Sequence, residues 1–467
     1  MECATLISLA VGKQRMGQDA LELVQLLGTI QTGITDADDP QAQYLLHCWG
    51  RMARVLEDDF VAYLPAVMPP LLELAKAKAD ITLLDDDEQI ANYEQEEGWE
   101  LVPLKGKVIG IKTSILEDKH MAIELIYIYA QQLKAAFEPW VVDILHSVSL
   151  PGLGFFFHDP VRVASAKSVP MLLNSYKLRH GESSQALMQL WEGTLEKLLE
   201  VLTPELAIDT LAEMYQCFYE SIEVIGKNCL GQSAMESFVK AAEETLREYQ
   251  IRVQKRQEEK AEAEEGEEDS EELLFAIEDD ATLLSDMNKA FHTIFKHHGV
   301  AFLPAWQKLM HFYDGFITGQ DPTQRQWALC ILDDVLEFCG EQSWPYQQHI
   351  RQPLIAGLHD DNAANRQAAS YGVGTAAQKG GPSWAPFVVE CLPTLFQVCA
   401  RPNARKDDDV YATENACASI AKILHVHGDK VPNLHEVIAH WVDTLPVVND
   451  EEAAPYVYTY LTQLINE

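Results

Sequence analysis

The last third of this sequence repeats itself about every 40 residues, and no other feature constrains its fold as tightly. The steps Leu303-Pro304, Trp344-Pro345, Ala385-Pro386 and Val431-Pro432 recur at intervals of 41 to 46 positions. Each is followed by an apolar helical run, a short polar break and a second helical run. The breaks carry Asp321-Pro322, Asp360-Asp361-Asn362 and Asp407-Asp408-Asp409. A few residues into the second run come Arg325-Gln326-Trp327-Ala328 or Arg366-Gln367-Ala368-Ala369. Aspartate followed by proline is a strong helix start, because proline at the first helical position lacks only an N–H that would be orphaned there anyway. One such helix pair has more apolar surface than it can bury alone, so neighbouring pairs must stack.

This is a helix–turn–helix unit of HEAT type. The pattern predicts an all-α fold, a HEAT-repeat superhelical solenoid of about nine helix pairs. Second helices are expected on the concave wall, with no sheet of three or more strands. The chain divides into HEAT repeats over 1–79, an acidic insertion with Trp99 over 80–116, HEAT repeats over 117–255, an acidic low-complexity insertion over 256–280, and HEAT repeats over 281–467. Pro65, Pro69, Pro304 and Pro393 fall within first helices and are expected to kink them, since each removes a backbone bond. Neither the apolar run Met1 to Gly12 nor the apolar run Tyr458 to Ile465 has the polar outer face of a capping repeat, which predicts a piece of a longer array.

Charge narrows the function. The formal net charge is −37 over 467 residues. Residues 85–100 hold eight acids and no base, and residues 258–280 hold thirteen acids and one lysine, leaving −17 on the remainder. Acidity is therefore spread over the repeats as well as the insertions. Binding to a phosphate backbone needs clustered Lys and Arg, so nucleic acid is excluded as a direct ligand and a basic protein partner is favoured. Like charges at i and i+4 predict that residues 257–275 are mobile or only partly helical. In the first insertion, Trp99 and the run Leu101-Val102-Pro103-Leu104 predict that part of it docks on the solenoid. No apolar run is long enough to span a membrane. The nine cysteines are scattered, with Cys330, Cys339, Cys391, Cys399 and Cys417 inside apolar stretches, as expected of small buried side chains.

Motifs for catalysis are missing. Gly372-x-Gly374 lacks the third glycine of a dinucleotide fingerprint, and no phosphate-binding G-x-x-x-x-G-K-[ST] loop or G-x-S-x-G elbow occurs. His297-His298 and His425-Val426-His427 have no acidic or cysteine co-ligand at metal spacing. No catalytic residue, cofactor or metal site is expected, which favours a binding protein over an enzyme. The candidate contacts lie on second helices. Trp327, Asp333, Asp334 and Glu337 sit on the helix from Arg325. Glu213, Glu220 and Glu223 fall at i, i+7 and i+10 on the helix from Pro204, and Glu414 and Asn415 follow Asp409. In register along an inner wall, these carboxylates would pair with cationic heads while aromatic rings hold aliphatic stems. The acids fit a solvated face as well, and Trp327 fits an inter-repeat core.

Several segments resemble the importin-beta (karyopherin) family. They include Asp321 to Val335, Arg366 to Gly374, Ala412 to Cys417, Glu2 to Lys13, Gly98-Trp99-Glu100 and Phe157 to Ala164. The group most similar is the importin beta-3, importin-five type. The resemblance covers essentially the whole chain and includes the irregular stretch around Trp99. It implies a nuclear import receptor about twice this length, of which this chain is the middle-to-C-terminal part. Such receptors bind basic protein cargo, ribosomal proteins and histones among them, on the concave side. They contact phenylalanine–glycine nucleoporins, shuttle between cytoplasm and nucleus, and release cargo to Ran-GTP. The family's principal Ran contact would lie in repeats upstream of Met1. A monomer is expected. The competing reading is a non-transport HEAT-repeat scaffold for complex assembly.

Overall fold

The computed structural model describes residues 1–34, 39, 41–84, 98–104, 107–203, 207–262 and 271–466. Two compact units result, Met1–Cys229 and Leu230–Glu467. Among the described residues there are nine helix pairs, four in the first unit and five in the second, as the repeat period predicts.

In the first unit the second helices are Gln41–Leu56, Thr113–Leu133, Asp159–His180 and Ile208–Ile225. Each packs on the next in chain order, and Glu2–Val11 lies against the first of them. In the second unit the corresponding layer is Glu271–His298, Pro322–Cys339, Ala363–Lys379, Asp409–His427 and Ala454–Asn466. The second helices are thus sandwiched between sequence neighbours, which explains why they carry apolar or small residues over most of their circumference. Ala363–Lys379 packs closely on Asp409–His427. A methyl group on Gly374 would stand 2.3 Å from Ser419 Oγ, so the Gly372-x-Gly374 pair serves helix packing.

Several first helices are segmented, whereas Gln18–Gly33, Gln185–Val201 and Gln232–Glu262 are continuous. Pro65, Pro304 and Pro393 do not kink continuous helices; each occupies the first turn of a short segment after a 3-10 turn or a break. The missing N–H costs nothing at that position. Pro69 lies inside Leu64–Ala75 as expected.

The first insertion overturns one expectation. Ile81–Leu84 (β1), Trp99–Leu104 (β2) and Lys107–Lys112 (β3) form a three-stranded antiparallel sheet in the order β1-β3-β2. The register pairs Ile81 with Ile111 and Leu101 with Gly110. Gly110 leaves room for Trp99 and Leu101, whose side chains would lie 3.3 and 3.6 Å from a methyl group there. The sheet leads directly into Thr113–Leu133, and Thr113 N–H donates to Gly98 O at 2.7 Å. The strands are only four to six residues long and the acidic run between the first two masks their alternation, so the sequence read as loop. Residues 85–97 lie outside the described residues.

The second insertion is more ordered at its flanks than like-charge repulsion predicts. Gln232–Glu262 and Glu271–His298 both run into it, the latter starting ten residues before the expected Ala281. Residues 263–270 lie outside the described residues. Two contacts oppose the repulsion. Leu273 and Ile277 face Tyr249 and Val253 across a shared cavity. Asp280, buried, accepts from Arg252 Nε and Nη2 at 3.0 and 2.7 Å and from Arg256 Nη2 at 2.5 Å.

Candidate functional site

The recurring Arg and Asp positions form a ladder between repeats. Asp321 caps its own helix, accepting from Thr323 N–H at 2.8 Å. Arg325, one turn on, reaches the break of the next repeat. It binds Asp360 through Nε at 2.7 Å and Nη2 at 3.1 Å, and donates to the carbonyls of Gly319 and Gln320. Burial works against the Asp360 carboxylate, but Arg325 and the Asn362 N–H outweigh it and hold its pKa below the usual range. Arg366 repeats the device. It donates to the carbonyls of Asp360 and Asp361 at 2.8 and 2.7 Å and pairs with Asp409 of the following repeat. Its side chain is 2 % exposed.

Glu414 and Asn415 continue this ladder from inside. Glu414 is fully buried and accepts from the N–H groups of Val448, Asn449 and Asp450 at 3.1, 2.8 and 2.8 Å, and from Asn449 Nδ2 at 3.0 Å. Burial alone would raise its pKa; these bonds outweigh burial and lower it. Asn415 Nδ2 donates to Tyr411 O and to Asp450 Oδ2 at 2.8 Å. Neither side chain lies on an open groove. The sequence places both there only if second helices line an inner wall in register. They instead cap the break at 447–453, where backbone N–H groups need an acceptor.

Trp327 is also interior. It is 2 % exposed and packs edge-on against Phe291 and Phe316, with ring centroids 6.0 and 5.4 Å away. Of the two readings open in the sequence, inter-repeat core is the one the structure shows. Asp333 and Asp334 are buried as well. Asp334 Oδ1 lies 2.7 Å from His292 Nδ1 on the preceding second helix. Burial pushes Asp334 up to about 6 in spite of that partner, and His292 is raised chiefly by its bond to Asp334. Asp333 is pushed well above the ordinary carboxylate range, first by burial and then by Asp334.

The signs of these shifts agree. An acid with a raised folded pKa keeps its proton after the unfolded chain has released its own, so stability falls as pH rises from about 4. For Asp334 this fall is complete near 6. His292 stabilises below about 6.5 and loses its contribution as pH passes its raised folded value. Asp333→Asn is therefore expected to raise the thermal midpoint at pH 7.5 and to leave it nearly unchanged at pH 4.5. An equal shift at both values, read by circular dichroism, would rule out titration of Asp333 as the cause.

The remaining acids reach solvent to different degrees. Glu337 is half-buried and accepts from Tyr371 OH at 2.6 Å and Lys379 Nζ at 2.8 Å, which outweigh burial and lower its pKa. Glu213 lies 3.5 Å from Lys167 on the adjacent second helix, Glu220 accepts from Gln216 at 2.8 Å, and Glu223 is exposed. The helix Ile208–Ile225 is unbroken, so the spacing of these three glutamates holds. Sequence reasoning missed the cations between the acids. Lys422, itself half-buried, lies over the rings of Tyr371 and Tyr456 at 5.3 and 5.9 Å, and Lys379 and His292 each hold an acid one repeat away. The second-helix layer is thus a lattice of mixed charge, with much of its acidity already engaged.

The cysteines are all free, and burial pushes most of the thiols in the helical stretches up, Cys339 and Cys391 to about 12. Among the described residues no group of three His, Cys, Asp or Glu side chains is placed to hold a metal, and no helix is long and apolar enough to cross a membrane.

Comparison with known proteins agrees with this architecture. Residues 210–319 match the family model described as Importin repeat 6. The chain is 34 % identical to importin subunit beta-3 of Saccharomyces cerevisiae over all of its length, covering 42 % of that protein. It is similar to Kap121p bound to RanGTP, with TM-score 0.86 and 32 % identity over 100 % of this chain and 42 % of the other. It is equally similar to Kap121p bound to Nup53p, with TM-score 0.86 and 32 % identity over 99 % and 42 %. The chain spans less than half the length of these relatives. An all-α HEAT-repeat array whose similarity runs through both insertions belongs to the importin-beta family.

Proposed function

We propose that this chain is part of a nuclear import receptor, a binding protein with no catalytic role. In this reading it takes basic protein cargo, such as ribosomal proteins and histones, on the acidic face of its second helices. The whole protein shuttles between cytoplasm and nucleus, contacts phenylalanine–glycine nucleoporins at the pore and releases cargo to Ran-GTP. The observation that carries the proposal is similarity along the entire chain to a protein seen in complex with Nup53p and with RanGTP. The composition supports it, since a net charge of −37 attracts cationic chains.

The proposed cargo contacts are the acids that reach solvent: Glu223, and less openly Glu213, Glu220 and Glu337. Each exposed pair contributes only about 0.2–1 kcal/mol, so several must act together. A lysine-rich histone-tail peptide should bind the chain in a fluorescence anisotropy titration, and more weakly as salt is raised towards 1 M, where the screening length falls to about 3 Å. Changing Glu213, Glu220 and Glu223, which share the helix Ile208–Ile225, together to glutamine should weaken binding about tenfold with helicity unchanged. Unchanged affinity would place cargo elsewhere. A chain that binds neither this peptide nor phenylalanine–glycine repeats would favour the scaffold reading.

A further inference from the structure

A cavity of about 230 Å³ lies between the second helices Glu271–His298 and Pro322–Cys339. Its inner wall holds Leu284 and Trp327, each 2 % exposed, while Ser285, Lys289 and Gln326 line it from the surface. Two polar groups on its lining residues are unmet. Trp327 Nε1 is buried and donates to no acceptor among the described residues, and Asn288 Oδ1, also buried, accepts from no donor among them. Phe291 and Phe316 hold the Trp327 ring edge-on from two sides, so the indole cannot turn its N–H to a partner elsewhere. Buried polar groups are almost always hydrogen-bonded. A donor and an acceptor left unmet around one mostly apolar cavity therefore mark a place for a third group that can answer both.

Charge does not define the occupant. Among the described lining residues Lys289 alone is charged, and Asp286 accepts from it at 2.8 Å. The group that fits is neutral, accepts from the indole N–H and donates to the Asn288 oxygen. These two atoms come from different helices. A hydroxyl would have to reach both with one oxygen, whereas a carboxamide presents its oxygen and its NH2 as separate atoms. A backbone amide carries chain on both sides, but a side-chain carboxamide enters a walled cavity end-on. We infer that this cavity takes the carboxamide of a glutamine or asparagine side chain from a protein partner, its oxygen on Trp327 Nε1 and its NH2 on Asn288 Oδ1. Ala281 and Leu284 flank the apolar stem of that side chain. The site selects a neutral polar side chain, a preference that exposed glutamates do not supply, and it stands whether or not those glutamates bind cargo.

Three small probes of similar shape test this on the whole chain: propionamide, butanone and 2-butanol. The readout is the indole N–H resonance of Trp327 in proton–nitrogen spectra, identified by its loss in Trp327→Phe. Propionamide should move this resonance saturably, and should bind roughly three- to tenfold more tightly than butanone, which accepts but cannot donate. The alcohol should also bind more weakly than the amide. Asn288→Ala, at a half-buried position, should erase the preference for propionamide over butanone with the circular dichroism spectrum unchanged. If Trp327→Phe proves unstable, the indole resonance that moves with propionamide and loses that preference in Asn288→Ala identifies the site. Two neutral five-residue peptides then test the source of the amide. One has glutamine at its centre among glycine and serine, the other methionine, and both are capped with acetyl and N-methylamide groups. The glutamine peptide should move the same resonance at lower concentration. No indole resonance moving with propionamide, equal binding of the three small probes, or a preference retained in Asn288→Ala overturns the proposal, because the cavity would then hold solvent alone. Equal responses to the two peptides overturn it as well, because the contact would then be made by backbone.

Discussion

Arg366→Ala is expected to lower the thermal midpoint of the Leu230–Glu467 unit by roughly 10 °C. The guanidinium is buried, donates to two carbonyls of its own repeat and pairs with Asp409 of the next. Removing one partner of a buried ion pair costs about 3–5 kcal/mol, because the groups left behind are desolvated without compensation. For a unit of this size each kcal/mol moves the midpoint by about 2–4 °C. Asp409→Asn should cost less, since the two carbonyls remain and Asp409 is partly exposed. A double-mutant cycle would then give the coupling between them. A midpoint within 2 °C of wild type for Arg366→Ala would mean that the repeats are held by apolar packing alone and that the polar ladder is incidental. The same substitution at Arg325 should cost less, because that side chain is about a fifth exposed and water can replace part of what it loses.

Glu414→Gln should be nearly as damaging, although it removes only a charge. The carboxylate accepts four hydrogen bonds from 448–450. An amide keeps one acceptor oxygen and turns an NH2 group towards N–H donors that have no alternative partner. Hydrogen bonds to a charged group contribute about 1.5–3 kcal/mol each, and loss of one or two places the cost near 3 kcal/mol. The loss should be local. Amide exchange is expected to quicken around 447–453 and in Ala454–Asn466, and to stay slow in Ala363–Lys379. Uniform acceleration throughout the unit would show that the break contributes to global rather than local stability. Charge reversal at Glu414 is therefore a change to folding and cannot report on cargo.

The sequence alone determined the repeat, the helix pairs and the family. Proline at first turns, aspartate at breaks and apolar runs in between are local signals, and backbone geometry turns them into helix starts and ends without help from distant residues. The positions of the ladder were also visible, since Arg325 and Arg366 recur after the same acidic breaks. Their purpose was not, because it depends on which break each arginine reaches. His292 and Asp334, Glu337 and Lys379, and Arg366 and Asp409 are separated by 42, 42 and 43 residues, close to one repeat. A search for opposite charges one period apart would have flagged them as internal pairs.

Tertiary structure decided what local pattern left ambiguous. Helical spacing put Trp327, Asp333, Asp334, Glu414 and Asn415 on second helices, yet both flanks of those helices are covered by neighbouring repeats and a polar face read from one helix is a contact face in the stack. The sheet over 81–112 depends on pairing between strands that an acidic run separates, with Gly110 making room for Trp99. The helical flanks of the second insertion depend on Asp280 meeting two arginines from the opposite helix. Each outcome rests on contacts between residues far apart in the chain. The sequence names those residues and their period; which of them are buried, and therefore which charges remain for a partner, follows only once the repeats are packed.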